Sequence, residues 1–117
     1  MTPLALEIYR QLLRVLRANK QSITYAELAT AVAKKQPAHH RSPSFHAALG
    51  EVTTTCRARG LPAIAAMVWR SSASRPGSGY YLLAHPRAKT DEAQLAAWKR
   101  EHTAVLGAAE TYPPTLS

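Results

Sequence analysis

The first part of the chain has apolar residues at the spacing of an amphipathic helix. Those that share one helical face are Leu4, Ile8, Leu12, Val15 and Leu16. Thr2 is the expected N-cap, and Pro3 takes the first helical position, where a backbone N–H is not needed. The other face carries Arg10, Arg14 and Arg17, which either face water or lie along a phosphate backbone.

A second helix is predicted from the chemistry of its first turn. Thr24 and Glu27 have the spacing of a capping box, in which each side chain bonds a backbone N–H of the other residue. We therefore expect a helix over residues 25–34, packed against the first helix. The basic, proline-containing segment 34–41 is typical of a connection between helices.

A third helix is predicted over residues 43–59, with Ser42 as N-cap and Gly60 after its end. Its apolar face contains Phe45, Leu49, Val52 and Cys56. Its outer face contains Ala47, Gly50, Glu51, Thr54 and Arg57. Such a small, nearly neutral face allows the close approach of a partner, whether the DNA backbone or another protein, but has few of the side chains that distinguish bases.

The next segment has the pattern of a β-hairpin followed by a last helix. Residues 63–69 and 79–83 read as two short apolar strands, and the connection 70–78 is rich in Ser, Arg, Pro and Gly. A final helix is expected from the Thr90 cap to Gly107. Its apolar face, with Leu95, Trp98, Val105 and Leu106, could be core or the seam of a homodimer, and both remain open.

Together these elements predict an α+β fold of the winged-helix class. The expected core is a three-helix helix-turn-helix with a C-terminal β-hairpin wing at 70–79 and one additional C-terminal helix. The length of 117 residues fits a single domain over residues 1–107. Residues 108–117 are expected to form a flexible tail.

The charge of the chain favours a nucleic-acid partner. Lys and Arg number 15 against 7 Asp and Glu, the formal net charge is +8, and the pI is about 10.2. The N-terminus has no leader pattern and no segment could span a bilayer, so we expect a cytoplasmic protein without a membrane partner. The single Cys56 cannot form an internal disulfide and is expected to be buried.

The residues expected to contact nucleic acid come from the basic turn, the third helix and the wing. They are Lys34, Lys35, His39, His40, Arg41, Ser42, Ser44, His46, Thr53, Thr54, Arg57, Arg70 and Arg75. The acidic residues are scattered, so neither a catalytic set nor a metal site is predicted, and no cofactor is expected.

Residues 8–83 resemble a winged helix, and the segment Ile23-Thr24-Tyr25-Ala26-Glu27-Leu28-Ala29 is similar to the helix entry of alkyltransferase-like DNA-repair proteins. The resemblance implies DNA binding through a helix-turn-helix. The Pro-Cys-His-Arg motif of true alkyltransferases and its Trp variant are both absent, so the base flipping of that family is not implied. Segments 49–52, 60–63 and 75–80 also resemble small bacterial domains of unsettled role, some of which are associated with defence or mobile elements.

The sequence therefore predicts a non-enzymatic protein that binds duplex DNA through helix 43–59, the basic turn and the wing. One alternative is a protein-interaction module, such as a phage-encoded inhibitor that docks on a nucleic-acid-processing defence complex. A second is a DNA-acting enzyme that uses the histidines between His39 and His46. These functions remain open at this point.

Overall fold

The computed structural model describes residues 1–116, which contain five α-helices, one 3₁₀ helix and a small parallel sheet. Their order is α1 (Pro3–Arg17), β1 (Ile23–Thr24), α2 (Tyr25–Val32), α3 (Pro43–Ala58), the 3₁₀ helix (Ile64–Met67), β2 (Val68–Trp69), α4 (Ser78–Ala84) and α5 (Asp91–Gly107). Within this part of the chain, no helix combines the length and hydrophobicity needed to cross a bilayer.

The helix starts predicted from the sequence are confirmed. The side chains of Thr2, Thr24, Ser42 and Thr90 each accept a hydrogen bond from the backbone N–H three residues later. Both halves of the capping box at Thr24 and Glu27 are present, and the Glu27 carboxylate accepts from the Thr24 N–H at 2.9 Å. These caps depend on residues within one turn, so they form regardless of the tertiary arrangement.

The predicted β-hairpin wing is wrong, and with it the winged-helix fold class. The segment 63–69 forms mainly the 3₁₀ helix, and only Val68–Trp69 is a strand. This strand pairs in parallel with Ile23–Thr24, which lies directly before α2. Residues 79–83, expected as the second strand, lie in α4. The fold is thus predominantly helical.

The physical reason is the burial pattern of the Tyr80 segment. Tyr80, Tyr81 and Ala84 are buried, whereas Leu82 and Leu83 are exposed, which is the pattern of one buried helical face and does not alternate as a strand does. A short apolar run is ambiguous between the two structures until its packing partner is known. Here the partner is α3, and a helix packs its buried residues there.

The core lies between α1, α3 and the 3₁₀ helix. Every residue of the 3₁₀ helix is buried. α5 packs against the 3₁₀ helix, and the Trp98 indole N–H donates to the Ala66 carbonyl at 2.9 Å. The Trp69 indole N–H donates to the same carbonyl at 3.2 Å. The predicted apolar face of α5 therefore contributes to the core through Trp98 and Val105.

The residues after α5 fold back on the core, which differs from the flexible tail expected from the sequence. Tyr112 and Leu116 are only 2% and 1% exposed. The Tyr112 hydroxyl donates to the Pro62 carbonyl at 2.5 Å, and the Tyr9 hydroxyl donates to the Pro113 carbonyl. The Arg17 guanidinium donates to the Tyr112 carbonyl at 2.9 Å, so this segment is tied to α1 by polar contacts as well.

Candidate nucleic-acid interface

A cavity of about 750 Å³ opens between the start of α2, the basic turn, residues 46–53 of α3, the turn before α4, and α4 itself. Its lining residues are Thr24, Tyr25, Ala26, His40, Arg41, His46, Leu49, Gly50, Thr53, Ala65, Arg70, Ser71, Ser72, Gly77, Ser78, Gly79, Tyr80 and Leu83. Hydroxyl, imidazole and guanidinium groups share this lining with apolar side chains. No carboxylate or thiol occurs among the described residues that line it.

One wall of the cavity is held in place by Tyr25. The phenol hydroxyl accepts a hydrogen bond from the Gly77 N–H at 2.9 Å, which ties the 70–79 segment to the first turn of α2. Burial raises the pKa of Tyr25, so the phenol stays protonated at neutral pH. A Cβ atom at position 77 would lie 3.4 Å from this hydroxyl, an ordinary van der Waals distance, so the contact does not itself require glycine.

Segment 70–79 is a closed turn fixed at both ends, unlike the projecting hairpin expected from the sequence. The Arg70 N–H donates to the Arg75 carbonyl at 2.8 Å. The Arg75 guanidinium then pairs with the Asp91 carboxylate at 2.5 Å and lies 5.7 Å from the centre of the Tyr81 ring. Arg70 remains exposed and lines the cavity, whereas Arg75 is engaged by α5.

The basic turn and the start of α3 form another part of the lining, next to Tyr25. The His39 and His40 rings stack with 4.7 Å between their centres, and the His39 Nδ1 accepts from the Arg41 N–H at 3.1 Å. The His46 Nε2 lies 2.7 Å from the His40 carbonyl oxygen, and its ring centre lies 5.7 Å from that of Tyr25. Loss of hydration and the neighbouring His39 and Arg41 lower the pKa of His40.

The predicted contact residues divide into those at the cavity and those outside its lining. His40, Arg41, His46, Thr53 and Arg70 line it. The others are Lys34, Lys35, His39, Ser42, Ser44, Thr54, Arg57 and Arg75. Lys34 and Lys35 are exposed just beyond α2.

Several of the predicted residues are engaged by the fold itself. The Ser42 hydroxyl accepts from the Phe45 N–H at 3.1 Å and lies 3.0 Å from the Ser44 hydroxyl. Thr53 is only 1% exposed, and its hydroxyl donates to the Leu49 carbonyl at 3.3 Å. The hydroxyl of Thr54, which is exposed, donates to the Glu51 carbonyl at 3.1 Å.

The small outer face of α3 has a structural explanation, because α4 packs on part of it. A Cβ atom at Gly50 would lie 2.9 Å from Cδ1 of Leu83, so glycine lets the leucine approach the helix. The Arg57 guanidinium donates to the Leu83 carbonyl and fixes the end of α4 on α3. Of the predicted outer-face residues of α3, Gly50 is the one that lines the cavity.

Other cavity residues were missed because no local pattern marks them. Tyr25, Ser71, Ser72 and Leu83 come from the capping segment, the turn and α4. The one sequence signal was the Thr-Tyr pair at the start of α2, which resembles that of alkyltransferase-like proteins. No sequence pattern marks Ser71 and Ser72 as cavity residues, because their position beside α2 depends on the Tyr25–Gly77 hydrogen bond.

The remaining reactive groups lie elsewhere. Cys56 is fully buried on the inner face of α3, and burial raises the pKa of its thiol. Within residues 1–116, no group of three or more His, Cys, Asp and Glu side chains is placed to hold a metal ion.

Comparison with protein-family models, with curated protein sequences and with solved structures gives no match to this chain. The resemblance to alkyltransferase-like proteins therefore stays a prediction.

Proposed function

We propose that this protein binds duplex DNA without chemically changing it, and that the cavity lies at the centre of its binding surface. The observation that carries the proposal is the cavity itself, which has Arg41 and Arg70 in its lining together with His40 and His46. Guanidinium and imidazole groups are suited to phosphate contacts.

The charge around the cavity is available to an external anion. No carboxylate of the described residues lies within 4.0 Å of the charged groups of Lys34, Lys35, Arg41 or Arg70, because the three ion pairs of this part of the chain involve other residues. All four side chains are exposed. With a formal net charge of +8 over the chain, this surface would attract the phosphate backbone of DNA.

The volume of the cavity is sufficient for a single unpaired or extruded base, which we propose as its occupant. A volume of about 750 Å³ is within the range of ligand pockets and is larger than a nucleobase needs. The Tyr25 and His46 rings offer aromatic surface, and the Ser71, Ser72 and Ser78 hydroxyls offer hydrogen bonds to base edges. A base within a duplex would have to leave the stack to enter, at a cost of about a few kcal/mol.

Binding without chemistry is proposed because no hydrogen bond pairs a serine or tyrosine hydroxyl of the described lining with His40 or His46, and the described residues hold no cluster of metal ligands. The described lining has neither a thiol nor a carboxylate, and the Cys56 thiol is enclosed in the core. A cytoplasmic location, where DNA is accessible and a free cysteine stays reduced, completes the proposal.

The test is a fluorescence-anisotropy titration of labelled duplexes, one fully paired and one with a single mismatch. We expect affinity to fall steeply between about 50 and about 200 mM salt, and the mismatched duplex to bind more tightly because its base is easier to extrude. Arg41→Ala and Arg70→Ala should each remove one phosphate contact. Each should therefore lower the slope of log affinity against log salt concentration by about 1.

Arg14→Ala is the matched control, since it removes the same charge from the exposed face of α1. Its effect should be smaller than that of either cavity variant. Absence of binding to both duplexes at low salt would contradict the proposal and favour the protein-docking alternative.

A further inference from the structure

The exposed face of α4 is apolar, which is unusual for a short surface helix. Leu82 is 72% exposed and Leu83 is 38% exposed, and these are the large hydrophobic residues that residues 1–116 leave exposed. The opposite face, with Tyr80, Tyr81 and Ala84, is already buried. Leu83 still contacts α3 at Gly50, whereas Leu82 lies outside the buried face, so the exposure of Leu82 calls for another explanation.

Leu83 lines the cavity, and Leu82 precedes it on the exposed side of α4. Residues three and four apart share a helical face, so Leu82 and Leu83 lie on the same side of α4 as Gly79. Gly79 and Leu83 both line the cavity. Leu83 also reaches Gly50 of α3, while Leu82 extends into solvent beside it.

α4 is held firmly enough to present this face in one orientation. The Arg57 guanidinium donates to the Leu83 carbonyl at its end. The Tyr80 hydroxyl and the His85 Nε2 are 2.9 Å apart, which ties the buried face to the residue after the helix. Its start follows Gly77, which donates to Tyr25. The leucines are thus fixed relative to the cavity walls.

We infer that Leu82 and Leu83 form an apolar ridge that contacts the bases of bound DNA, with Leu82 inserted at the base step next to the nucleotide that occupies the cavity. This inference rests on the proposed DNA-binding function. Apolar side chains that enter a base step partly unstack it, and they fill space that an extruded base leaves empty. The leucine ridge would supply this contact from one side of the cavity.

The surrounding charge favours DNA over an apolar protein segment as the occupant. Arg41 and Arg70 line the same cavity as Leu83, so a molecule that covers the ridge also meets two guanidinium groups. Duplex DNA combines a phosphate backbone with the apolar faces of bases and matches both features.

The experiment uses duplexes that carry the fluorescent base 2-aminopurine next to a mismatch, titrated with the full chain. Binding of the unmodified protein should raise the fluorescence, because the probe brightens when it unstacks. Leu82→Ala should remove most of this rise and weaken binding about tenfold, the loss expected for one apolar side chain. The salt dependence of binding should stay unchanged, since no charge is removed.

Leu82→Met is the matched control and should retain both the affinity and the fluorescence rise. Leu82 is largely exposed, so its variants should fold, and circular dichroism would verify this. DNA binding with an unchanged affinity and fluorescence rise in Leu82→Ala would overturn the inference but leave the proposed function intact. Absence of DNA binding by the unmodified protein would overturn both.

Discussion

The Tyr25 hydroxyl accepts a hydrogen bond from the Gly77 N–H across a sequence separation of 52 residues. This contact joins the first turn of α2 to the segment between β2 and α4. It also shapes the cavity, because both residues belong to its lining. The capped start of α2 was predicted correctly from neighbouring residues. The contact connects it to the segment that was wrongly predicted to be a β-hairpin wing.

Removal of the Tyr25 hydroxyl should loosen the 70–79 segment without unfolding the protein. We expect Tyr25→Phe to lower the free energy of unfolding by about 1 kcal/mol, because the Gly77 N–H loses its partner while the ring still packs. Hydrogen exchange of the Gly77 amide should become faster, whereas exchange in the core of α1 should change only as much as global stability does. Equal protection of Gly77 in both proteins would show that the contact does not hold the segment.

The Gly50–Leu83 contact predicts a size limit at position 50. Gly50→Ala should change the free energy of unfolding by less than about 1 kcal/mol, because the helix propensity gained offsets the displacement of the Leu83 side chain. Gly50→Leu is too large for that adjustment and should cost about 1–3 kcal/mol by pushing α4 from α3. Urea denaturation measures both changes.

Gly107→Ala serves as the control, since nothing lies within 4 Å of a Cβ atom there. Position 107 should tolerate Ala and Leu about equally. A Gly50→Leu variant as stable as Gly107→Leu would contradict the packing of α4 on α3.

The Arg75–Asp91 ion pair predicts that DNA affinity can be increased by a substitution outside the cavity. The Asp91 side chain is 82% exposed, so Asp91→Asn should cost at most about 1 kcal/mol of stability. It should also free the Arg75 guanidinium and remove a negative charge from this side of the protein. Anisotropy titrations should then show tighter DNA binding with a steeper salt dependence. The control is Glu92→Gln, which removes the neighbouring charge but breaks no ion pair of the described residues.

The histidines of the basic turn predict stronger DNA binding at lower pH. In the free protein the pKa of His40 lies below its ordinary value, so the ring is neutral at pH 7. Nearby phosphates favour the protonated ring and raise this pKa in the complex, so binding is coupled to proton uptake. Affinity should therefore rise as the pH falls from about 7 to about 5. His40→Gln should reduce this rise, and a pH dependence identical to that of the unmodified protein would show that His40 does not contact DNA.

Much of the helical structure was predictable because its signals are local. Thr2, Thr24, Ser42 and Thr90 each bond a backbone N–H three residues away, so the caps depend only on adjacent sequence. The apolar spacing in α3 likewise predicted the burial of Phe45, Val52 and Cys56. Among the candidate site residues, His40, Arg41 and Arg70 line the same cavity.

The rest could not be predicted because it depends on partners that are distant in sequence. Thr53 has the pattern of a flanking residue of α3, yet it is buried. Arg75 lies in a segment that has the composition of a wing, yet its guanidinium forms an ion pair with Asp91 of α5. Tyr112 follows the last helix in a proline-containing segment, yet it packs in the core and bonds Pro62. None of these contacts leaves a signal in neighbouring residues.

By itself the sequence determined where the capped helices begin, which of their faces is apolar and the strongly basic charge of the chain. These properties follow from interactions within about one helical turn and from composition. Only the tertiary structure decided that residues 79–83 form a helix, that Val68–Trp69 pairs with Ile23–Thr24, and that a cavity opens between α2, α3 and α4. A short apolar run satisfies its hydrogen bonds equally well as helix or strand, so the surface on which it packs decides between them.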